Sequence, residues 1–163
     1  MSKQCTRCKE TKPLIEFGKS KQTRDKLTCW CLQCKRDYAK VRRHTPDGIY
    51  DSLVGRTNFY KKKPVTISRE DFVNWYISAD RICVYCDLPE KYLHEVNDPQ
   101  NDFGSRLTID CVENHLGYAN NNVVLACKRC NNIKNDFFTF DETREICQKY
   151  VKPRWEKELG LFL

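Results

Sequence analysis

Apolar residues fall in short blocks separated by long polar stretches, and their period changes along the chain. Lys12-Pro13-Leu14-Ile15-Glu16-Phe17-Gly18 is an apolar stretch bounded by Pro and Gly, followed by a polar, basic loop from Lys19 to Lys26. Lys35 to Arg43 suits a helix, which Thr45-Pro46-Asp47-Gly48 breaks. Thr45 as N-cap and Pro46 at the first helical position then start a second helix through Ile49, Tyr50, Leu53 and Val54. Ser68-Arg69-Glu70-Asp71 reads as a weak capping box, because Asp71 is shorter than the usual Glu. Phe72, Val73, Tyr76 and Ile77 repeat behind it at helical spacing. Further on, Arg106 to Asp110 reads as a strand, Val112 to Asn121 as a polar loop and Asn122 to Ala126 as a second strand. Cys127 to Lys134 runs from a turn into a helix, and a last helix is expected from Asp141 to Val151, stopped by Pro153. The longest apolar blocks are about strand length, far short of the roughly 18 residues of a membrane span. With no apolar signal core near Met1, the expectation is a soluble, cytoplasmic chain without a membrane partner.

Cysteine spacing adds more than any of these periods. Eight of the 11 cysteines form four C-x-x-C pairs, Cys5/Cys8, Cys31/Cys34, Cys83/Cys86 and Cys127/Cys130, leaving Cys29, Cys111 and Cys147 over. An odd total argues against a secreted disulfide scaffold. Two thiolates on one tight turn can face one ion, and Zn²⁺ wants four such ligands at about 2.3 Å in a tetrahedron. Pairing neighbours in sequence gives two four-cysteine structural zinc sites, Cys5/Cys8/Cys31/Cys34 and Cys83/Cys86/Cys127/Cys130. The segment around the first is too short for a self-sufficient apolar core, so metal is expected to supply its folding free energy.

Charge is placed unevenly. Residues 1–66 carry 17 Lys and Arg against 6 Asp and Glu, whereas residues 67–163 carry 12 against 16. Two four-thiolate zinc sites lower the formal +7 of the whole chain to about +3, so the global charge is a weak clue. Its concentration in residues 1–66 is what suggests a polyanion, most simply a phosphate backbone. Arg42, Arg43, Lys61, Lys62 and Lys63 are the candidate contacts there.

The expected strand, loop, strand and helix are bracketed by the second zinc site. Asp110 ends the first strand and Asn131 begins the helix after the second. If the hairpin packs on that helix, the carboxylate and the amide oxygen converge in one groove. Completed by water and phosphate oxygens, that donor set suits Mg²⁺. The alternative is that Asp110 caps a turn and Asn131 caps the helix.

These residues resemble a known family. Leu107-Thr108-Ile109-Asp110, Gly117-Tyr118, Asn122-Val123, Cys127-x-x-Cys130-Asn131 and Lys134 are similar to the motifs of the ββα-metal (HNH) nucleases. The likeness extends upstream through Phe72-Val73-Asn74-Trp75-Tyr76 and Cys83-x-x-Cys86, and downstream through Asp136-Phe137-Phe138-Thr139. It points to the zinc-containing phage and bacterial branch, which includes a rare-cutting type II restriction enzyme. The resemblance implies a small α+β fold: a ββα-metal core held by a four-cysteine zinc site, an N-terminal four-cysteine module and flanking helices. The expected division is residues 1–45 for the zinc module, 46–66 for a helical, basic linker and 67–163 for the nuclease domain. It further implies that Asp110 and Asn131 bind a catalytic Mg²⁺ or Mn²⁺, that Asn122 braces the loop, and that the substrate is double-stranded DNA. Lys134 is either a phosphate contact or an exposed helix lysine.

One position departs from that pattern. Most members carry His directly after the metal-binding Asp, where it deprotonates the attacking water, and the nearer relatives carry Arg; this chain has Cys111. An unperturbed thiol is mostly protonated at neutral pH and makes a mediocre base. His115 in the loop and Tyr76, which matches an active-site Tyr of the restriction-enzyme relative, are candidate replacements, with ordinary helix packing as the alternative for Tyr76. The leading expectation is therefore a metal-dependent DNA endonuclease of restriction or homing type. A restriction enzyme would act as a homodimer on a palindrome, a homing enzyme as a monomer. The competing expectation is a DNA-binding zinc protein on a degenerate scaffold.

Overall fold

The computed structural model describes residues 1–60, 63–96 and 102–161, with the side chains of 57–60 left out of the description. The chain divides into two compact units, Met1–Ser52 and Leu53–Leu163. In the first, β1 (Ser2–Gln4) pairs antiparallel with β2 (Thr11–Pro13), and β3 (Phe17–Lys19) with β4 (Leu27–Cys31). A single 3₁₀ turn, Leu14–Glu16, joins the two hairpins. Helix α1 (Leu32–Arg42) follows, and Cys34 is its one buried residue. The unit's core is Cys5, Phe17, Cys31 and Cys34, with Leu27 and Trp30 partly buried against it. Phe17 and Ile49 are the large buried apolar side chains of the unit, and at about 2–3 kcal/mol each they fall far below the ordering cost of some fifty residues.

Helix α2 (Pro46–Tyr60) runs across the division, and the Thr45 hydroxyl accepts from the Gly48 N–H at 3.1 Å, as the sequence predicts of a capping threonine. The second unit contains α3 (Arg69–Ser78), β5 (Thr108–Cys111), β6 (Val123–Ala126), α4 (Lys128–Lys134), α5 (Phe140–Ile146) and α6 (Lys152–Glu158). Ser68 caps α3 by accepting from the Asp71 N–H, but Asp71 bonds the Ser68 hydroxyl and not its backbone, so the box is half closed. Strands β5 and β6 pair antiparallel, with Thr108 opposite Ala126 and Cys111 opposite Val123. Ile109 and Leu125 are buried opposite each other, and Phe72, Leu88, Leu93, Val96, Phe103, Leu107 and Trp155 complete a true apolar core.

Three expectations need correction. The first strand begins at Thr108, not Arg106, and takes in Cys111; the second begins at Val123, not Asn122, whose side chain holds the loop. Pro153 does not stop the last helix. The chain instead makes a π turn over Cys147–Val151, in which the Lys152 N–H reaches back to the Cys147 carbonyl, and continues into α6 with Pro153 in its first turn. The wider turn resets the hydrogen-bond register where proline has no N–H to give.

Candidate metal and nucleic-acid site

Each C-x-x-C pair lies on a turn of one of two kinds. In the pairs that come first, the Cys5 and Cys83 carbonyls accept from the Lys9 and Asp87 N–H groups, both at 2.9 Å. Lys9 and Asp87 themselves adopt φ of +64° and +59°. In the pairs that come second, Cys31 and Cys127 are the N-caps of α1 and α4, and their sulfurs accept from the Cys34 and Cys130 N–H groups. A loop knuckle thereby meets a helix-start knuckle twice. All four sulfurs of each group lie within 4.8 Å of one another. A tetrahedron with metal–sulfur bonds of about 2.3 Å has edges of about 3.8 Å. Cys5 and Cys34 are 3.9 Å apart, as are Cys86 and Cys127. Both groups fit a metal ion such as Zn²⁺ in donor chemistry and in size.

The second group carries the hairpin. Side chains alternate across a strand, so Thr108 and Asp110 share one face of β5. The Asn131 amide donates to the Thr108 hydroxyl at 2.9 Å, which puts Asn131 of α4 on that same face. Asp110 is buried. One of its oxygens accepts from the Cys111 N–H at 2.8 Å, the other from the Tyr85 hydroxyl at 2.7 Å, and the Lys134 ammonium stands 3.5 Å away. Burial first, and then the charge of Asp110, push the Tyr85 phenol well above its ordinary range, so it serves as a donor. Each carboxylate oxygen retains a lone pair, and the Asn131 oxygen accepts no hydrogen bond from the described residues. One carboxylate and one amide oxygen, the rest left to water and phosphate, match the preference of Mg²⁺ or Mn²⁺ for few protein ligands.

The loop between the strands is fixed from inside. Asn122 accepts from the Glu113 N–H at 2.8 Å and donates to the Glu113 and Gly117 carbonyls at 2.9 and 2.6 Å. Gly117 has φ +65°, and a Cβ there would lie 2.4 Å from the Pro64 oxygen. The Pro64 carbonyl in turn accepts from the Tyr118 N–H at 2.8 Å.

Lys134 is the clearest correction to the sequence reading. It is neither exposed nor a surface phosphate contact, but completely buried. Its ammonium donates to the Cys111 carbonyl and to Asn114 Oδ1, the latter at 3.0 Å. Burial of that charge is compensated by Asp110 and two acceptors, which ties α4 to the hairpin. Lys63 bonds the same Asn114 oxygen at 2.9 Å and pairs with Asp136 at 2.8 Å. Arg42 is likewise engaged, with Asp51 and with the Tyr38 hydroxyl at 3.2 Å. Arg43 is exposed, and Lys61 and Lys62 lie outside the described residues.

The three candidate bases lie in different surroundings. Burial pushes the Cys111 thiol up to about 11, leaving it protonated at neutral pH. His115 is 74% exposed and faces Glu113 at 3.8 Å. Tyr76 is buried, stacked on Phe72, and accepts from Arg81 at 2.8 Å. Tyr85, Thr108 and Asn114 were missed as site residues. Their only signal was a large aromatic between two ligand cysteines and polar residues two or four positions from Asp110.

Comparison with known proteins supplies the fold. No protein-family model matches the chain, and no curated protein does. Among solved structures, that of the rare-cutting HNH restriction endonuclease PacI is similar, at a TM-score of 0.56 and 24% identity over 94% of this chain and 96% of that one. The chain shares that fold. The similarity spans both units, the N-terminal module as well as the hairpin and helix. Among the described residues, no helix is long and apolar enough to cross a membrane.

Proposed function

We propose that the protein is a metal-dependent endonuclease acting on double-stranded DNA, with two structural zinc ions and a catalytic Mg²⁺ or Mn²⁺ at Asp110 and Asn131. The observation that carries this reading is the shared face of Thr108, Asp110 and Asn131 on a hairpin–helix unit within an HNH-type fold. A divalent ion bound there would supply positive charge to the scissile phosphate and its leaving oxygen. The protein's own residues prepare the place. Tyr85 and the Cys111 N–H orient the carboxylate, Thr108 takes the Asn131 amide nitrogen so that its oxygen is the ligand atom, and Asn122 holds the loop. Residues 67–163 would form the nuclease domain, residues 1–45 a zinc module, and 46–66 the helical connection. A homodimer cutting a palindrome is the restriction form of this reading; a monomer nicking an asymmetric site is the homing form.

A second reading, DNA binding without cleavage, is favoured by the neutral, buried Cys111 at the position where the family's base stands. Incubation with a mixed DNA pool and Mg²⁺ or Mn²⁺ separates the two. Cleavage abolished by Asp110→Ala and by Asn131→Ala supports the nuclease. Cleavage that survives both substitutions places the site elsewhere, and tight binding with no nicking under either metal favours the second reading.

A further inference from the structure

In the more basic unit of the chain one candidate cation, Arg42, is already paired, and another arginine is held ready. Within Met1–Ser52 there are 13 Lys and Arg against 6 Asp and Glu. Arg42 is neutralised by Asp51. Arg7 is different. It sits at the surface in the first knuckle, between Cys5 and Cys8, where the Thr6 N–H and hydroxyl both bond the Cys29 carbonyl and so pin the turn to β4. Its guanidinium lies 4.6 Å from the ring centre of Trp30 and 5.2 Å from that of Tyr38. Those two rings meet edge to face at 5.3 Å, and the Tyr38 hydroxyl accepts from Arg42. No acceptor among the described residues meets an Arg7 N–H.

We propose that Arg7, braced by Trp30 and Tyr38, is a phosphate clamp through which the first unit grips the DNA backbone. This rests on the DNA-binding reading above. A guanidinium stacked on aromatic faces keeps its planar fork of donors, fixed in direction and with little freedom left to lose, which suits the two oxygens of a phosphodiester. The exposed residues of the adjoining helix, Lys35, Arg36, Lys40 and Arg43, give the surroundings the sign a polyanion needs. Zinc is what positions the clamp: both the Arg7 turn and the strand bearing Trp30 end on ligand cysteines.

The test is binding of a fluorescein-labelled duplex by the zinc-loaded full chain in an Asp110→Ala background, titrated at several salt concentrations. Arg7→Ala is expected to weaken binding about tenfold and to reduce the slope of log K against log salt by about one. Arg42→Gln is expected to change affinity less than about twofold, its charge being already paired. Unchanged affinity and slope in Arg7→Ala overturn the clamp while leaving DNA binding intact. Absence of binding by the parent protein at low salt sinks the DNA reading itself. A direct measurement covers loss of zinc by the Arg7 variant. Tryptophan emission of the parent should shift on saturation with unlabelled duplex, and the shift should vanish in Trp30→Phe. A shift that is absent from the parent, or that persists in Trp30→Phe, overturns the proposal.

Discussion

The two four-cysteine groups are built alike and housed differently. Both join a loop knuckle to a helix-start knuckle, with matching hydrogen bonds and matching positive φ at Lys9 and Asp87. Around the first there is one large buried apolar residue, Phe17, and Cys8 reaches the surface. Around the second all four cysteines are buried, the Trp155 indole donates to the Cys86 carbonyl at 3.1 Å, and Gln148 and Lys152 hold Asp87 at 2.9 and 2.8 Å. The same ligand geometry serves as nearly the entire core of one unit and as a rivet in the core of the other. What a metal site contributes thus depends on how much apolar structure could stand without it.

The largest expected effect follows directly. Cys8→Ser should lower the zinc content from two ions to one and abolish amide protection in residues 1–52, while β5 and β6 stay protected. Structural zinc is worth about 10–16 kcal/mol in small modules, comparable to the whole stability of a typical domain. Hydrogen exchange read by mass spectrometry checks it; retained protection in residues 1–52 would break the contrast. By the same logic a chelator should strip the first site before the second.

Next in size is the buried cation. Lys134→Met leaves Asp110 buried without its counter-charge and should cost about 3–5 kcal/mol in urea unfolding. Trp155→Ala should cost a similar amount, about 3–5 kcal/mol, and additionally speed metal loss from the second site alone. Asn122→Ala removes three bonds to the loop, for about 2–3 kcal/mol, and should lower activity by loosening the segment that follows Asp110. The smallest effect is at α5, where Thr139 and Glu142 form a closed capping box. Thr139→Ala should cost about 1 kcal/mol. Hydrogen bonds from Thr139, its backbone N–H first, hold the Glu142 carboxyl below its ordinary range. Its contribution is therefore complete above the ordinary Glu pKa and lost as pH falls through the depressed folded value. Glu142→Gln should remove that acid-side dependence from a pH series of melting temperatures.

Much of this was legible in the sequence because it depends on neighbours along the chain. The C-x-x-C spacing, the Thr45-Pro46 helix start and the strand–loop–strand order all act over a few residues. The sequence places Asp110 and Asn131 in one groove only on the condition that the hairpin packs on the helix after it, with capping roles as the alternative; the Asn131–Thr108 hydrogen bond is a tertiary contact that spacing does not show. Lys134 was misjudged because nothing local marks a lysine as buried; only the carbonyl of Cys111, Asn114 and Asp110, brought together by tertiary packing, make its burial affordable. Pro153 does not end the helix, since its missing donor is harmless after a π turn. The capping box at Thr139-Phe140-Asp141-Glu142 is local too, a Thr followed three residues later by a Glu.

The N-cap position of Cys31 has one more consequence. Its sulfur accepts the Cys34 N–H at the start of α1, so the aligned peptide dipoles of an 11-residue helix point their positive end at an anionic four-thiolate centre. Part of the charge of that centre is balanced by backbone. The unit can therefore carry a negative core without drawing all its lysines and arginines inward, and keeps a positive face toward whatever lies outside.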